Sequence, residues 1–348
     1  MDLRDHLLAG QVIPAQPLAL DARRKFSEKH QRAITRYYMA AGVGGLAVGV
    51  HSTQFEIREP QHGLFRPVLE LAGRTIDESL KKNPRPFIKI AGICGKTGQA
   101  LKEADLALSL GYQAGLLSLA AWKDGDEDAI LAHCKQVAEA IPIIGFYLQP
   151  SVGGRILSHA FWRKFAEIPG VIAIKMAPFN RYQTLDVVRA VVDAGREDIA
   201  LYTGNDDNIV IDLLSPYAID FQGKKITRRI VGGLLGHWGV WTRKAVQLFE
   251  EIQATQKDSG IDRKWLTRAI AVTDMNAALF DPAHGFAGCI PGILEVLRRQ
   301  GLAPTNLCLN PNEALSPGQA EELTRVCLAY PELTDNAFVQ QHLDEWLR

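Results

Sequence analysis

The sequence predicts a (β/α)8 barrel, or TIM barrel, followed by a C-terminal helical extension. Three observations carry that expectation. Eight short apolar runs begin 28 to 40 residues apart. Segments with helical periodicity lie between several of them, and beyond about residue 240 only helical segments follow. Strands alternating with helices pair in parallel, because each crossover returns the chain to the same end of the sheet. Eight such units favour a closed barrel over an open doubly wound sheet.

The runs are "QVIPAQPLAL" from Gln11, "GLAVGVHS" from Gly45, "RPFIKIAG" from Arg85, "AGLLSLAA" from Ala114, "PIIGFYLQ" from Pro142, "GVIAIKMA" from Gly170, "IALYTGND" from Ile199 and "RIVGGLLG" from Arg229. In the sixth, Pro169 and Gly170 bound four apolar residues, Val171 to Ile174, the pattern of a buried strand. "TGQALKEADLALSLG" and "DEDAILAHCKQVAEA" repeat apolar residues at three and four with charges on the other face, as amphipathic helices do. After the last strand come "TRKAVQLFEEIQATQ", "RKWLTRAIAVTDMNAALF", "IPGILEVLRRQG" and "SPGQAEELTRVCLAY". No low-complexity linker separates them, so the expected division is a barrel over 1–250 and an extension over 251–348.

Composition narrows the class of function. The 348 residues carry 39 Lys and Arg against 39 Asp and Glu, with 47% apolar and 22% charged residues. That is the profile of a globular protein with a large core, and the balance gives no electrostatic reason to expect nucleic acid or an acidic membrane as partner. The five cysteines are scattered, without zinc-site spacing, and read as reduced thiols in the cytoplasm. No secretory h-region or run of eighteen apolar residues occurs, so neither export nor a membrane span is expected. The nine histidines form no H-E-x-x-H, and no metal is expected.

In such a barrel the reacting groups stand at the C-terminal ends of the strands. Lys175 ends the sixth run. It is either a snorkelling or ion-paired lysine or an amine nucleophile made reactive by apolar surroundings. Tyr147, near the end of the fifth run, fills the core or moves protons. Asp206 and Asp207 in "TGNDDN" cap the following helix or accept hydrogen bonds from a hydroxylated ligand. His51 is either a hydrogen-bonded strand-end histidine or part of a site. Two glycine motifs are decoys: "GICGKTG" has two residues where a phosphate loop needs four, and "GVGGLA" follows a helix and precedes a strand, the reverse of a dinucleotide fingerprint. Lys89 is a rival amine earlier in its strand.

"FYLQPSVGG", the 28 residues from Tyr147 to Lys175 in "AIKMAP", and then "YTGNDD" resemble the dihydrodipicolinate synthase and N-acetylneuraminate lyase family, which carries Y-x-x-P, I-K and G-x-D-[DE] in this order. "GVGGLAVGVHSTQFEI" occupies the place of that family's second strand and turn, and the segment from Ile290 looks like its C-terminal helices. The resemblance implies a class I aldolase in which Lys175 forms a Schiff base with pyruvate or a related 2-oxo acid and Tyr147 transfers protons. It implies that Ser52 and turn N–H groups hold the carboxylate, with His51 in place of a second hydroxyl, and that Gly204, Asp206 and Asp207 bind the distal end. Such chemistry needs no organic cofactor or metal, and the family resemblance implies a homo-oligomer, dimer or tetramer.

The departures shape the expected specificity. Trp122 stands where related enzymes lend a tyrosine across an interface, and Val152 where an arginine binds a second carboxylate, with Arg155 three residues on. The expected substrate is therefore a 2-oxo sugar acid, with a C–C bond made or broken. Dehydration by the same imine chemistry is second, and a non-catalytic metabolite-binding barrel is the rival.

Overall fold

The computed structural model describes residues 2–256 and 260–348. All eight expected strands form. They are β1 (Val12–Pro14), β2 (Gly45–Val48), β3 (Ile88–Ile93), β4 (Ala114–Leu117), β5 (Ile143–Leu148), β6 (Val171–Ala177), β7 (Ala200–Thr203) and, after a hairpin of β8 (Pro216–Phe221) and β9 (Lys224–Arg229), β10 (Gly232–Leu235). The eight-stranded sheet has the order β1-β10-β7-β6-β5-β4-β3-β2. The pairs from β3 to β7, and β7 with β10, are parallel. The two strands at the ends of that order meet as well, through a parallel bridge between Ala15 and Ala47 and a bond from Gln16 N to Ala47 O of 2.9 Å. This is the (β/α)8 barrel read from the sequence. Its strands are buried at nearly every position, which is why they appear as unbroken apolar runs rather than alternating ones.

The β8–β9 hairpin was not among the expected elements. Its residues alternate between exposed and half-buried in β8, so it lacks the continuous apolar signature of a barrel strand. The turn is Gln222–Gly223, with φ of 53° and 75°, between the paired residues Phe221 and Lys224. Two positive φ values are the geometry of a type I′ hairpin turn, for which Gly at the second position is suited. The run expected from Arg229 starts later, at Gly232, because Arg229 closes the hairpin opposite Pro216.

The backbone divides into two compact units, one of residues up to Gln11 with Ile88–Leu234, the other of Val12–Phe87 with Leu235–Arg348. The expected boundary at 250 and 251 falls inside the helix Thr242–Thr255. In the second unit the helices Lys264–Phe280, Cys289–Arg299 and Gln319–Ala329 form where their periodicity indicates, and a further helix spans Asn336–Trp346. Asp335, 3% exposed, ties that last helix inward: its carboxylate accepts from Tyr37 Oη at 2.7 Å, Arg243 N at 3.0 Å and Gln300 Nε2 at 2.9 Å. Burial pushes its carboxyl up and these donors oppose the shift. Among the described residues no helix is long and apolar enough to cross a membrane.

Candidate active site

The first unit holds the lysine. In the β5–β6 ladder Phe146 is the partner of Lys175 and Tyr147 the partner of Met176. Partners at one level of a parallel pair share a face, and successive residues of a strand point to opposite faces. Phe146 and Lys175 therefore stand together, with Lys175 Nζ 4.3 Å from the centre of the Phe146 ring. The opposite face belongs to the helices. There Tyr147 lies 5.1 Å, centre to centre, from Trp162 of the helix His159–Ala166, and a side chain on Gly145 would meet Phe165. Lys175 accordingly points into the barrel, where it is 8% exposed.

β7 makes room for it. Tyr202 is paired with Lys175, and its hydroxyl donates to Leu7 O at 2.9 Å. Two residues on, at the strand's end, comes Gly204. A Cβ there would lie 2.6 Å from Lys175 Cε and 2.9 Å from Ala177 Cβ, closer than real atoms approach. The glycine expected from the motif is thus in place for a steric reason: the lysine stem occupies the volume that any side chain would need.

Tyr147 is anchored on a different side of the strand. Its hydroxyl donates to Leu157 O and accepts from Leu157 N, both at 3.3 Å. Burial raises its phenol, and the carboxylates it senses, Asp186 and Glu127, belong to helices Arg181–Asp193 and Glu127–Ala140. It stands on the outer face of β5, away from the face that carries the amine. The motif spacing of 28 residues selects Tyr147, whereas the ladder pairs Lys175 with the residue 29 before it, 175 minus 146. One residue of register exchanges the two faces of a strand. The ladder is irregular between Ile143 and Ile144, and an irregularity of that kind cannot be counted from spacing.

Asn205 and Asp212 tie the "TGNDDN" loop to its surroundings. Asn205 is fully buried: its Oδ1 accepts from Phe179 N at 3.0 Å, and its Nδ2 donates to Asp212 Oδ2 at 3.0 Å and Thr184 Oγ1 at 3.3 Å. Asp212, also fully buried, further accepts from Thr203 Oγ1 at 2.7 Å and Asn208 Nδ2 at 3.0 Å, and pairs with Arg181. The N-cap of the helix Ile209–Leu214 is Asn208, so the helix-capping position belongs to neither aspartate. Asp206 is half-buried and Asp207 exposed in the turn that follows Gly204. Neither Asn205, in the loop, nor Asp212, in the short helix Ile209–Leu214, is marked by a periodic signal in the sequence.

Arg155 is engaged nearby. Its Nη1 donates to Trp122 O at 3.0 Å and Gly125 O at 2.5 Å, while its stem lines a small cavity with Phe146, Leu148 and Leu157. Trp122 carries Lys96 Nζ 3.9 Å from a ring centre. Lys89, the rival amine, has its Nζ beside Gly111, just past the C-terminus of the helix Thr97–Ser109, where a cation is favoured by the helix dipole.

The second unit holds the turn. Thr53 organises it: its Oγ1 donates to Gln16 O at 2.7 Å and accepts from Gly49 N at 2.9 Å and Val50 N at 3.2 Å. Gly49 and Gln54 both have positive φ, 76° and 68°, and Gln54 Oε1 accepts from Leu309 N at 2.6 Å. Ser52 is buried and His51 half-buried, its ring 5.9 Å from that of Phe55. In the same unit His237, just past β10, is buried with Nδ1 2.5 Å from Asn276 Oδ1, and burial pushes it down to about 4. Among the described residues no group of three or more His, Cys, Asp or Glu side chains is placed to hold a metal ion.

No family model matches the chain. A stretch of 179 residues, 50% of this chain and 55% of the other, is 26% identical to 4-hydroxy-tetrahydrodipicolinate synthase of Thiobacillus denitrificans. The chain thus spans about half the length of that relative. Its fold is that of solved dihydrodipicolinate synthases and N-acetylneuraminate lyases. Against the synthase of Oceanobacillus iheyensis the TM-score is 0.73 at 15% identity, covering 95% of this chain and 99% of that one. Against the lyase of Fusobacterium nucleatum it is 0.70 at 16% identity, covering 94% and 100%. The synthase of Acinetobacter baumannii, solved in complex with pyruvate, gives 0.73 at 18% identity over 93% and 99%. The resemblance read from the motifs is found again here, at the low identity of a divergent relative.

Proposed function

We propose that this chain is a Schiff-base-forming lyase of the class I aldolase type, acting on pyruvate or a related 2-oxo acid with Lys175 as nucleophile. One observation carries the reading: a buried lysine at the inner end of a barrel strand, beside an aromatic ring and a glycine that leaves its stem room. A lysine amine so placed can add to the carbonyl carbon of a 2-oxo acid that enters the barrel. The iminium that follows withdraws electrons from the neighbouring bond, which can then break or form. The resemblance assigns Ser52 and its turn to the carboxylate of the acid, and that assignment rests on the motif.

The preferred reaction makes or breaks a C–C bond of a 2-oxo sugar acid, with Asp206 and Asp207 accepting hydrogen bonds from its hydroxyls. Two observations support this over a substrate with a second carboxylate. Val152 offers no cation, and the Arg155 guanidinium already serves two carbonyls of the loop after β4. The same reading includes a homo-oligomer in the cytoplasm.

The test is borohydride reduction in the presence of pyruvate, followed by peptide mass analysis. One adduct on Lys175 is expected. A label on Lys89 or Lys96 with Lys175 unmodified overturns the assignment, and no label at all returns the chain to a metabolite-binding role.

A further inference from the structure

We infer that the π face of Phe146 stabilises the reacting nitrogen of Lys175 as ammonium and as iminium, in the place where Tyr147 was expected to present a hydroxyl. The inference rests on the reading of Lys175 as the nucleophile. Its geometry is independent of that reading: the two residues are register partners, Nζ lies 4.3 Å from the ring centre, and Phe146 is 5% exposed. A cation within about 6 Å of an aromatic face is attracted by the ring quadrupole, and more so where water is excluded.

The other groups on this face sharpen the assignment. From β7 the titratable group is Tyr202, whose hydroxyl donates to Leu7 O. Asp206 and Asp207 follow Gly204 in the loop, and Arg155 lies beside Phe146 with its Nη1 on two carbonyls. From β6 itself the same face brings Ala173 and Ala177, which carry no charge. β5 presents Phe146 and Leu148 there, so this strand contributes a ring and no proton carrier.

The chemical consequence follows from charge. The neutral amine of Lys175 adds its lone pair to the ketone carbon, and one of its protons passes to the carbonyl oxygen. That oxygen takes a second proton from the medium and leaves as water, and the nitrogen keeps one proton and the positive charge. Ammonium and iminium are both cations, the attacking amine is not. The ring therefore favours the resting and the covalent states over the free amine, and proton delivery to the departing oxygen proceeds without a phenol from β5.

Carbon-13 labelling of lysine Cε, with the resonance assigned by Lys175→Arg, allows the titration of Lys175 to be followed by NMR without substrate. Phe146→Leu removes the ring and is expected to move the titration midpoint down by about 0.4–1.5 pH units. Phe146→Tyr keeps the π face and is expected to stay within about 0.2 units of the unsubstituted protein. An unmoved midpoint in Phe146→Leu, or a Phe146→Tyr midpoint displaced as far as that of Phe146→Leu, overturns the inference. Should Phe146→Leu fail to fold, Phe146→Met supplies the ring-free comparison. Borohydride capture by the unsubstituted protein separates the two claims. Ring-dependent titration without capture keeps the cation–π contact and removes its catalytic role, whereas capture at Lys175 with ring-independent titration keeps the nucleophile and removes Phe146.

Discussion

Phe146 and Tyr147 are neighbours on one strand, both aromatic and both almost fully buried, and they serve different halves of the barrel wall. Phe146 faces inward beside the Lys175 side chain. Tyr147 faces outward against Trp162, with its hydroxyl closing a pair of long hydrogen bonds to Leu157. The strand separates two kinds of consequence. A change on the inner face acts on the amine and is read in turnover, whereas a change on the outer face acts on helix packing and is read in stability.

The largest expected effect tests the inner face directly. Lys175→Met preserves the stem's bulk without the amine and should abolish borohydride capture and turnover. Residual capture at another lysine with undiminished turnover would break the comparison at its root. Next comes Gly204→Ala. Its methyl would meet Lys175 Cε at 2.6 Å, and displacing the amine by about an ångström should lower turnover by about 10²-fold. Turnover unchanged in that variant would mean that the lysine stem has another place to go.

The outer layer has its own signature, in acid. His133, on the helix Glu127–Ala140, hydrogen-bonds Thr97 Oγ1 at 2.9 Å, and burial, assisted by Lys96, pushes its imidazole down from 6.5 to about 4. The unfolded chain then takes up this proton first. The stability it contributes is complete above 6.5 and declines as pH falls toward about 4, by about 1–3 kcal/mol. Urea unfolding at several pH values should show this decline, and His133→Gln should flatten it; an equally steep profile in the variant assigns the acid lability elsewhere. The smallest effect is Tyr147→Phe, expected to cost about 0.5–1.5 kcal/mol of stability and to leave turnover within about twofold. A hundredfold loss of turnover with intact stability would restore Tyr147 to the inner face and reverse the comparison.

How much of this was legible in the sequence follows from what each signal encodes. The eight barrel strands were readable because burial on both faces leaves unbroken apolar runs, and the four named C-terminal helices because their periodicity is long. Lys175 and Gly204 were readable because each interrupts or ends such a run. The hairpin at Pro216–Arg229 escaped because half-exposed strands alternate weakly and its cue is only the dipeptide Gln222–Gly223. Which face of β5 Phe146 and Tyr147 occupy was not legible, for a different reason. Motif spacing is counted along the chain, whereas the face of a strand depends on register across it, and the irregularity at Ile143 and Ile144 shifts that register. Thr53, Asn205 and Asp212 build the two loops through side-chain hydrogen bonds to backbone and to one another, contacts for which spacing holds no record.

The contact between Tyr37 and Asp335 sets an order of events during synthesis. The two residues are 298 positions apart, and the tyrosine hydroxyl is fully buried in the finished protein. A ribosome therefore releases the helix that carries Tyr37 long before the carboxylate that accepts its hydrogen bond exists. Closing so long a separation is slow by comparison with local contacts, and until it closes the aromatic face that receives Phe338 and Trp346 stays uncovered. The second unit should consequently mature only after Asp335 has been synthesised and released, and nascent chains stalled before Asp335 should be the ones that chaperones retain.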